Sequence, residues 1–191
     1  MHDVCNIITL EQYISTLPFN VIIRFGDYRE MLDSLEKDIL DLIITPQKRV
    51  SNNIEHQAFS SETIVLVAGN EVKDSQFPEL VKQKNYTEAE QWLKQEKWYE
   101  TIGDMEHLFR FWQLNFSHTP DFRPNYIVPN LNSIVRCLNS GKGLAVIPDF
   151  LCAKEIQSGL VKLVWKGHRQ LKIPYILLIE KTRIILKKLL Y

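Results

Sequence analysis

The order of elements around Ser140-Gly141-Lys142-Gly143 narrows the folds open to this chain more than any other feature. Before it, NSIVRCLNSG places Ile134, Val135 and Leu138 on one helical face; after it, LAVIP is an unbroken apolar run closed by Pro148. A lysine between glycines invites a phosphate-cradling loop. Such a loop runs strand, glycines, helix, so that the amides of the helix N-terminus face phosphate. Here the helix comes first, so the glycines sit at its C-terminal end, where Gly takes the left-handed conformation that turns the chain back. A dinucleotide fingerprint also fails, because it needs a third glycine near Val146 and a helix starting there. Lys142 reads as a solvent-exposed turn residue, and nucleotide binding is set aside.

Helix, turn and buried strand recur along the chain. PFNVIIRFG is a strand signal, with Val21, Ile22, Ile23 and Phe25 bounded by Pro18 and Gly26. DYREMLDSLEKDI follows with Met31, Leu32, Leu35 and Ile39 at helical spacing, Asp27 at the N-cap and Glu30 in the capping-box place. LDLIITP is a short strand closed by Pro46, RVSNNIEHQAF a polar loop, and ETIVLVAGN a second continuous apolar run. This alternation predicts an α/β half with a mainly parallel sheet covered on both faces. The polar stretch from Glu71 to Trp98 reads as a surface helix plus a crossing connection. GDMEHLFRFWQLNF then sets Met105, Leu108, Phe109, Trp112 and Phe116 on one helical face behind Asp104 as cap. RPNYIVPN, LAVIP, LVKLVW and KIPYILLIEK read as strands, and DFLCAKEIQSG as a helix.

Charge and cysteine usage exclude several functions. Lys plus Arg and Asp plus Glu are 23 each, so the formal net charge is zero and nothing pulls the chain as a whole toward nucleic acid or anionic membrane. Cys5, Cys137 and Cys152 lack CxxC spacing and suit a reducing, cytoplasmic setting, as buried small hydrophobes. No run reaches the roughly 20 apolar residues of a membrane span, and MHDVCNIITLEQY does not read as a secretory signal. The histidines have no metal-ligand spacing, and His107 falls on the polar side of its helix, as a solvated residue. Ser60 and Ser61 lack a nucleophile elbow, and Asp38 and Asp41 read as a solvated edge and a turn. The expectation is a protein that is not an enzyme and uses no cofactor and no metal.

Val135 through Pro148, followed by Gly159, Leu160, Val161, Leu163 and Trp165, resembles the second lobe of the effector-binding domain of LysR-type transcriptional regulators. LDLIITP and ETIVLVAGN resemble that family's first-lobe and crossing strands, and the likeness extends over about Phe19 to Lys181. The resemblance implies a two-lobed, periplasmic-binding-protein-like (type 2) α/β fold. Residues 1–69 with 175–191 would form the first lobe and 70–174 the second, with crossings near Val67 to Asn70 and from Val164 to Tyr175. It further implies a small effector in the cleft between lobes, a homodimer, a tetramer at full length, and DNA binding through a helix-turn-helix domain, for which nothing before Phe19 has room.

Carried over position by position, the resemblance puts first-lobe effector contacts at Gly26 and Asp27 and at Thr45 and Pro46. Asp27 reads first as a helix cap, and an acidic cap repels a carboxylate. In the second lobe, Thr101, Ile102 and Gly103 precede a helix, Pro129, Asn130 and Asn132 lie between strand and helix, and Ile147 and Pro148 end the strand after the glycine turn. Exposed amides there suit an oxyanion or hydroxyl, which leaves a carboxylate, an aromatic acid or a sugar acid as the effector. The alternatives are a transporter's solute-binding protein, which predicts an export signal, and an enzyme on a similar fold, which predicts a polar catalytic cluster.

Overall fold

The computed structural model describes residues 22–47, 53–102 and 105–181. They divide into two compact units, one reaching Ser61 and resuming at Ile173, the other Glu62–Lys172. The seams fall inside two long strands, β2 (Ile54–Gly69) and β7 (Leu171–Glu180). The boundaries expected from the resemblance, at 69/70 and 174/175, lie further along both strands.

In the first unit, α1 (Tyr28–Glu36) starts at Asp27, whose carboxylate accepts from the Arg29 amide at 2.8 Å. Leu32 and Leu35 are buried with Ile43, Ile54, Ile176 and Leu178. The helix ends before Ile39 because Asp38 takes a left-handed φ of 60°, so Ile39, expected on the buried stripe, is 58% exposed. β1 (Ile43–Thr45) pairs antiparallel with β7, Ile43 opposite Leu178. Of the expected strand at PFNVIIRFG, Pro18 to Val21 lie outside the described residues, and the described part, Ile22–Asp27, has no regular structure and is exposed. Strand preference in a β-branched run amounts to about 1 kcal/mol, and pairing decides it. No described strand pairs with this run.

The second unit explains why ETIVLVAGN is apolar throughout. Val65 and Val67 face a core with Leu131, Ile134, Val135, Leu138, Ala145, Ile147, Cys152 and Val161. Successive residues of a strand point to opposite faces, and Ile64, Leu66 and Ala68 are as fully buried on the other side. The strand is longer than expected, because IEHQAF, read as loop, continues it with alternating exposure. Its partners correct the expected parallel pairing: β5 (Leu144–Pro148) and β6 (Val161–Trp165) both run antiparallel to β2. Strands on either side of a unit entered by one long crossing strand need not follow the βαβ rule that governs sequential crossovers.

That rule does hold from β3 (Tyr99–Thr101) through α4 (Glu106–Phe116), β4 (Tyr126–Val128) and α5 (Leu131–Leu138) to β5. β3 pairs parallel with β4, and a parallel bridge joins Trp98 to Leu144. The polar middle forms two helices, α2 (Phe77–Lys82) and α3 (Tyr86–Gln95), where one was expected. α4 buries Leu108, Phe111, Trp112 and Asn115, with Phe111 inward where Phe109 was expected. Its expected cap, Asp104, lies outside the described residues; Met105, at φ 53°, occupies the cap position. DFLCAKEIQSG forms a 3-10 turn (Asp149–Cys152) and the short α6 (Ala153–Gln157). A register shift in β6 opposite Leu66 and Val67 turns Trp165 toward Phe77, Phe111 and Phe116.

The glycine turn works as expected. Gly141 and Gly143 have φ of +95° and +85°, and Lys142 is exposed. The end of β2 docks on it: the Gly69 amide donates to Gly143 O at 3.0 Å and the Glu71 amide to Gly141 O at 2.7 Å.

Candidate functional site

Parallel β3, β4 and β5 end together, at Thr101, Val128 and Pro148. The two connecting helices leave toward opposite faces. Trp98 meets Trp112 of α4, rings 5.9 Å apart, whereas its neighbour Tyr99 packs on the core that contains α5. The chain after β3 therefore departs to one side and the chain after β4 to the other, although these strands are adjacent. Such a switch point leaves a crevice outside the carboxyl ends of the two strands, where open α/β sheets bind ligands.

The structure brings Thr101 and Ile102 against Val128, Pro129, Asn130 and Asn132: Thr101 is in register with Val128, and the Ile102 amide donates to Val128 O at 3.1 Å. Gly103 lies outside the described residues. Thr101 offers less than its type suggests. Its amide and hydroxyl both donate to Oε1 of Glu100, at 2.8 and 3.3 Å. Glu100 is 2% exposed. A charged residue on the inward phase of a strand is the signal that the sequence reading passed over.

Asn130 caps α5, its Oδ1 accepting from the Ser133 amide at 2.9 Å and from Ser133 Oγ at 3.1 Å. The first amides of a helix have no intrahelical acceptor. With Ser133 capped and Ile134 bonded to Asn130 O, the amides of Leu131 and Asn132 are, among the described residues, the donors that α5 presents beyond β4. Asn132 is exposed beside them, and Ile102 (70% exposed) and Ile127 (52%) are the exposed aliphatic side chains at the ends of these strands. The arrangement can hold a small acceptor-bearing group and an apolar body by hydrogen bonding and contact.

Other expected contacts play structural parts. Ile147 is fully buried in the core opposite Val65, and Pro148 is buried opposite Ile64, so the apolar surface expected there is used in packing. In the first unit, Asp27 is the cap of α1, and Thr45 is buried with its hydroxyl accepting from the Gln47 amide at 3.1 Å. Gly26 and Pro46 are exposed.

Asn125 is a further residue that sequence reasoning missed. Its Oδ1 accepts from the Trp98 amide at 2.8 Å, and the Tyr126 amide donates to Trp98 O at 3.0 Å, which fixes β4 against β3. The solvated reading of His107 is also corrected: its side chain is 12% exposed, with Nε2 4.0 Å from Oε1 of the buried Glu62. Burial first, and then the neighbouring Cys137 and Tyr126, raises the Tyr99 hydroxyl above its ordinary value; burial pushes the Cys152 thiol up to about 12. Among the described residues no group of three or more His, Cys, Asp or Glu is placed to hold a metal, and no helix is long and apolar enough to cross a membrane.

The sequence matches the family described as LysR substrate binding domain over residues 19–187. It is similar to the regulatory domain of HypT from Salmonella typhimurium in a bromide-bound structure: TM-score 0.67 at 13% identity, covering 94% of this chain and 83% of that one. It is similar to full-length LysG of Corynebacterium glutamicum with bound effector Arg: TM-score 0.60 at 14% identity, covering 95% of this chain and 58% of that one. In sequence it is 34% identical over 62 residues to the HTH-type transcriptional regulator AbaB of Streptomyces antibioticus, 32% of this chain and 21% of that protein. The chain thus spans less than two thirds of these longer relatives.

Proposed function

Because the chain belongs to the LysR substrate binding domain family, we propose that it senses a small-molecule effector for a transcriptional regulator, and that the second unit's share of the effector site is the crevice outside β3 and β4. The observation that carries the reading is the divergence of α4 and α5 from adjacent parallel strands, the kind of switch point at which open α/β sheets bind ligands. Within it, the amides of Leu131 and Asn132 and the Asn132 side chain are the hydrogen-bonding contacts, and Thr101, Ile102 and Pro129 form the walls. Asn130 shapes the site as the cap. Gly103, on the same connection, belongs to the proposal by sequence position. In the first unit the proposed contacts are Gly26 and Pro46, with Asp27 and Thr45 holding the backbone that presents them.

The donor set favours an effector with a carboxylate or comparable acceptor. An effector shifts a regulator only if it binds one arrangement better than another, since equal affinity changes nothing. At full length the protein would act as a homodimer or tetramer and reach DNA through a helix-turn-helix domain, in the cytoplasm.

A thermal-shift screen tests the reading. The effector Arg of LysG and the bromide of the HypT domain make amino acids, small carboxylates and halides the first compounds to try. A ligand at about 100 times its dissociation constant adds roughly 2.7 kcal/mol of stability. Asn132→Leu should abolish that gain without lowering the stability of the free protein. A stabilising compound whose effect survives Asn132→Leu and a bulky Ile102→Trp intact would place its site elsewhere and refute the assignment.

A further inference from the structure

The loop from Ser117 to Asn125 delivers the chain into β4, and it is fastened at both ends. At its far end, Asn125 and Tyr126 bond to Trp98. Near its start, His118 lies between two acceptors: Nδ1 is 2.9 Å from the Thr119 carbonyl oxygen and Nε2 3.2 Å from Oε2 of Glu90 on α3. A neutral imidazole has one donor and one acceptor nitrogen, so it can satisfy only one of these contacts; the cation donates to both. The other oxygen of Glu90 is 2.8 Å from Lys94 Nζ, which also lies 3.0 Å from Asp121 in the same loop. Two carboxylates thus face one lysine and one histidine, and the set is charge-balanced only when His118 is protonated.

We propose that His118 is a proton-operated clasp that fastens the Ser117–Asn125 loop to α3. The charged groups facing it are Glu90 and Lys94 from α3 and Asp121 from the loop. The Thr119 carbonyl chiefly, with Glu90, raises the imidazole above its ordinary value, against desolvation and the Lys94 charge. The raised value sets the sign: the clasp is fully formed below the unfolded imidazole value of about 6.5 and is lost as pH rises through the folded one. Its bearing on effector binding rests on the reading above, because the loop leads into β4, which ends at Val128 just before the Asn130 cap; the clasp itself is tested without any effector.

Proton NMR titration of the histidine rings in the intact chain reads it out. His118 should titrate above an unperturbed imidazole, and His168, lowered by burial and then by Arg169, below it. Glu90→Gln should move the His118 midpoint downward. Amide exchange of residues 119–125, corrected for the intrinsic pH dependence, should show about two- to fivefold more opening at pH 8 than at pH 6, as expected for an exposed ion pair, and no such difference in His118→Gln. A His118 midpoint at or below the ordinary value, a midpoint unmoved by Glu90→Gln, or the same exchange difference in His118→Gln would each overturn the proposal.

Discussion

Gly69→Ala isolates the packing that closes the second unit at its glycine turn. The Gly69 backbone is not in the left-handed region, so the substitution adds no conformational strain, only a methyl group. That carbon would lie 2.3 Å from Gly141 C, 2.4 Å from Lys142 N and 2.6 Å from Gly141 O. These are backbone atoms of a tight turn and cannot rotate away. Relief to ordinary contact needs a displacement of about 1 Å, which breaks the bonds from the Gly69 and Glu71 amides, now 3.0 and 2.7 Å long. Two bonds at about 1 kcal/mol each and overpacking of at least about 1 kcal/mol give a loss of about 3 kcal/mol. Gly159→Ala is the matched control. Its φ is +75° but nothing lies within 4 Å of the added carbon, so it should cost only the left-handed penalty of about 1 kcal/mol. Urea unfolding followed by tryptophan fluorescence is the assay, because Trp92, Trp98, Trp112 and Trp165 all belong to the second unit. If Gly69→Ala is no more destabilising than Gly159→Ala, the turn does not clamp the end of β2 and the reasoning fails.

Removing the α5 cap with Asn130→Ala should cost about 1 kcal/mol by denaturation, while Asn130→Ser should keep most of it; equal losses would mean that the bond to the Ser133 amide does not act as a cap. Cys152, buried and with its thiol pushed up to about 12, should resist alkylation in the folded protein at pH 8, and the half-buried Cys137 should react sooner. Peptide mapping after brief iodoacetamide treatment checks the order, and prior labelling of Cys152 would contradict its place in the core.

Legibility in the sequence followed the source of each element's stability. NSIVRCLNSGKGLAVIP was readable because its local signals agree: an apolar helical stripe, left-handed glycines and a continuous buried strand. PFNVIIRFG misled because a β-branched run states a preference without stating a partner, and Ile22 is 78% exposed. Pairing direction was not readable at all. ETIVLVAGN is apolar on both faces whether its neighbours run parallel or antiparallel, since burial depends on the layers above and below. Among the candidate site residues, those at the ends of β3 and β4 came from the family resemblance, carried over to the turns between strand and helix. The engagement of Thr101 by Glu100 was not, because it depends on which way one buried carboxylate points.

The second unit's sheet separates its two kinds of constraint by direction. β5 runs from Leu144, beside the glycine turn and Gly69, to Pro148, about 13 Å further along at some 3.3 Å per residue. At the first end, glycines permit close backbone contact and a substitution acts on stability. At the second, β3 and β4 end with their helices diverging, and Asn132 and Ile102 are exposed, so under the proposed function a substitution there acts on ligand binding. The lysine between glycines that first suggested ligand chemistry lies at the end built for shape. The two ends are far enough apart for their effects to add. The double variant Gly69→Ala with Asn132→Leu should therefore show the stability loss of the first and the ligand response of the second, within about 0.5 kcal/mol of additivity. A coupling well above that would mean that the glycine turn and the crevice move together.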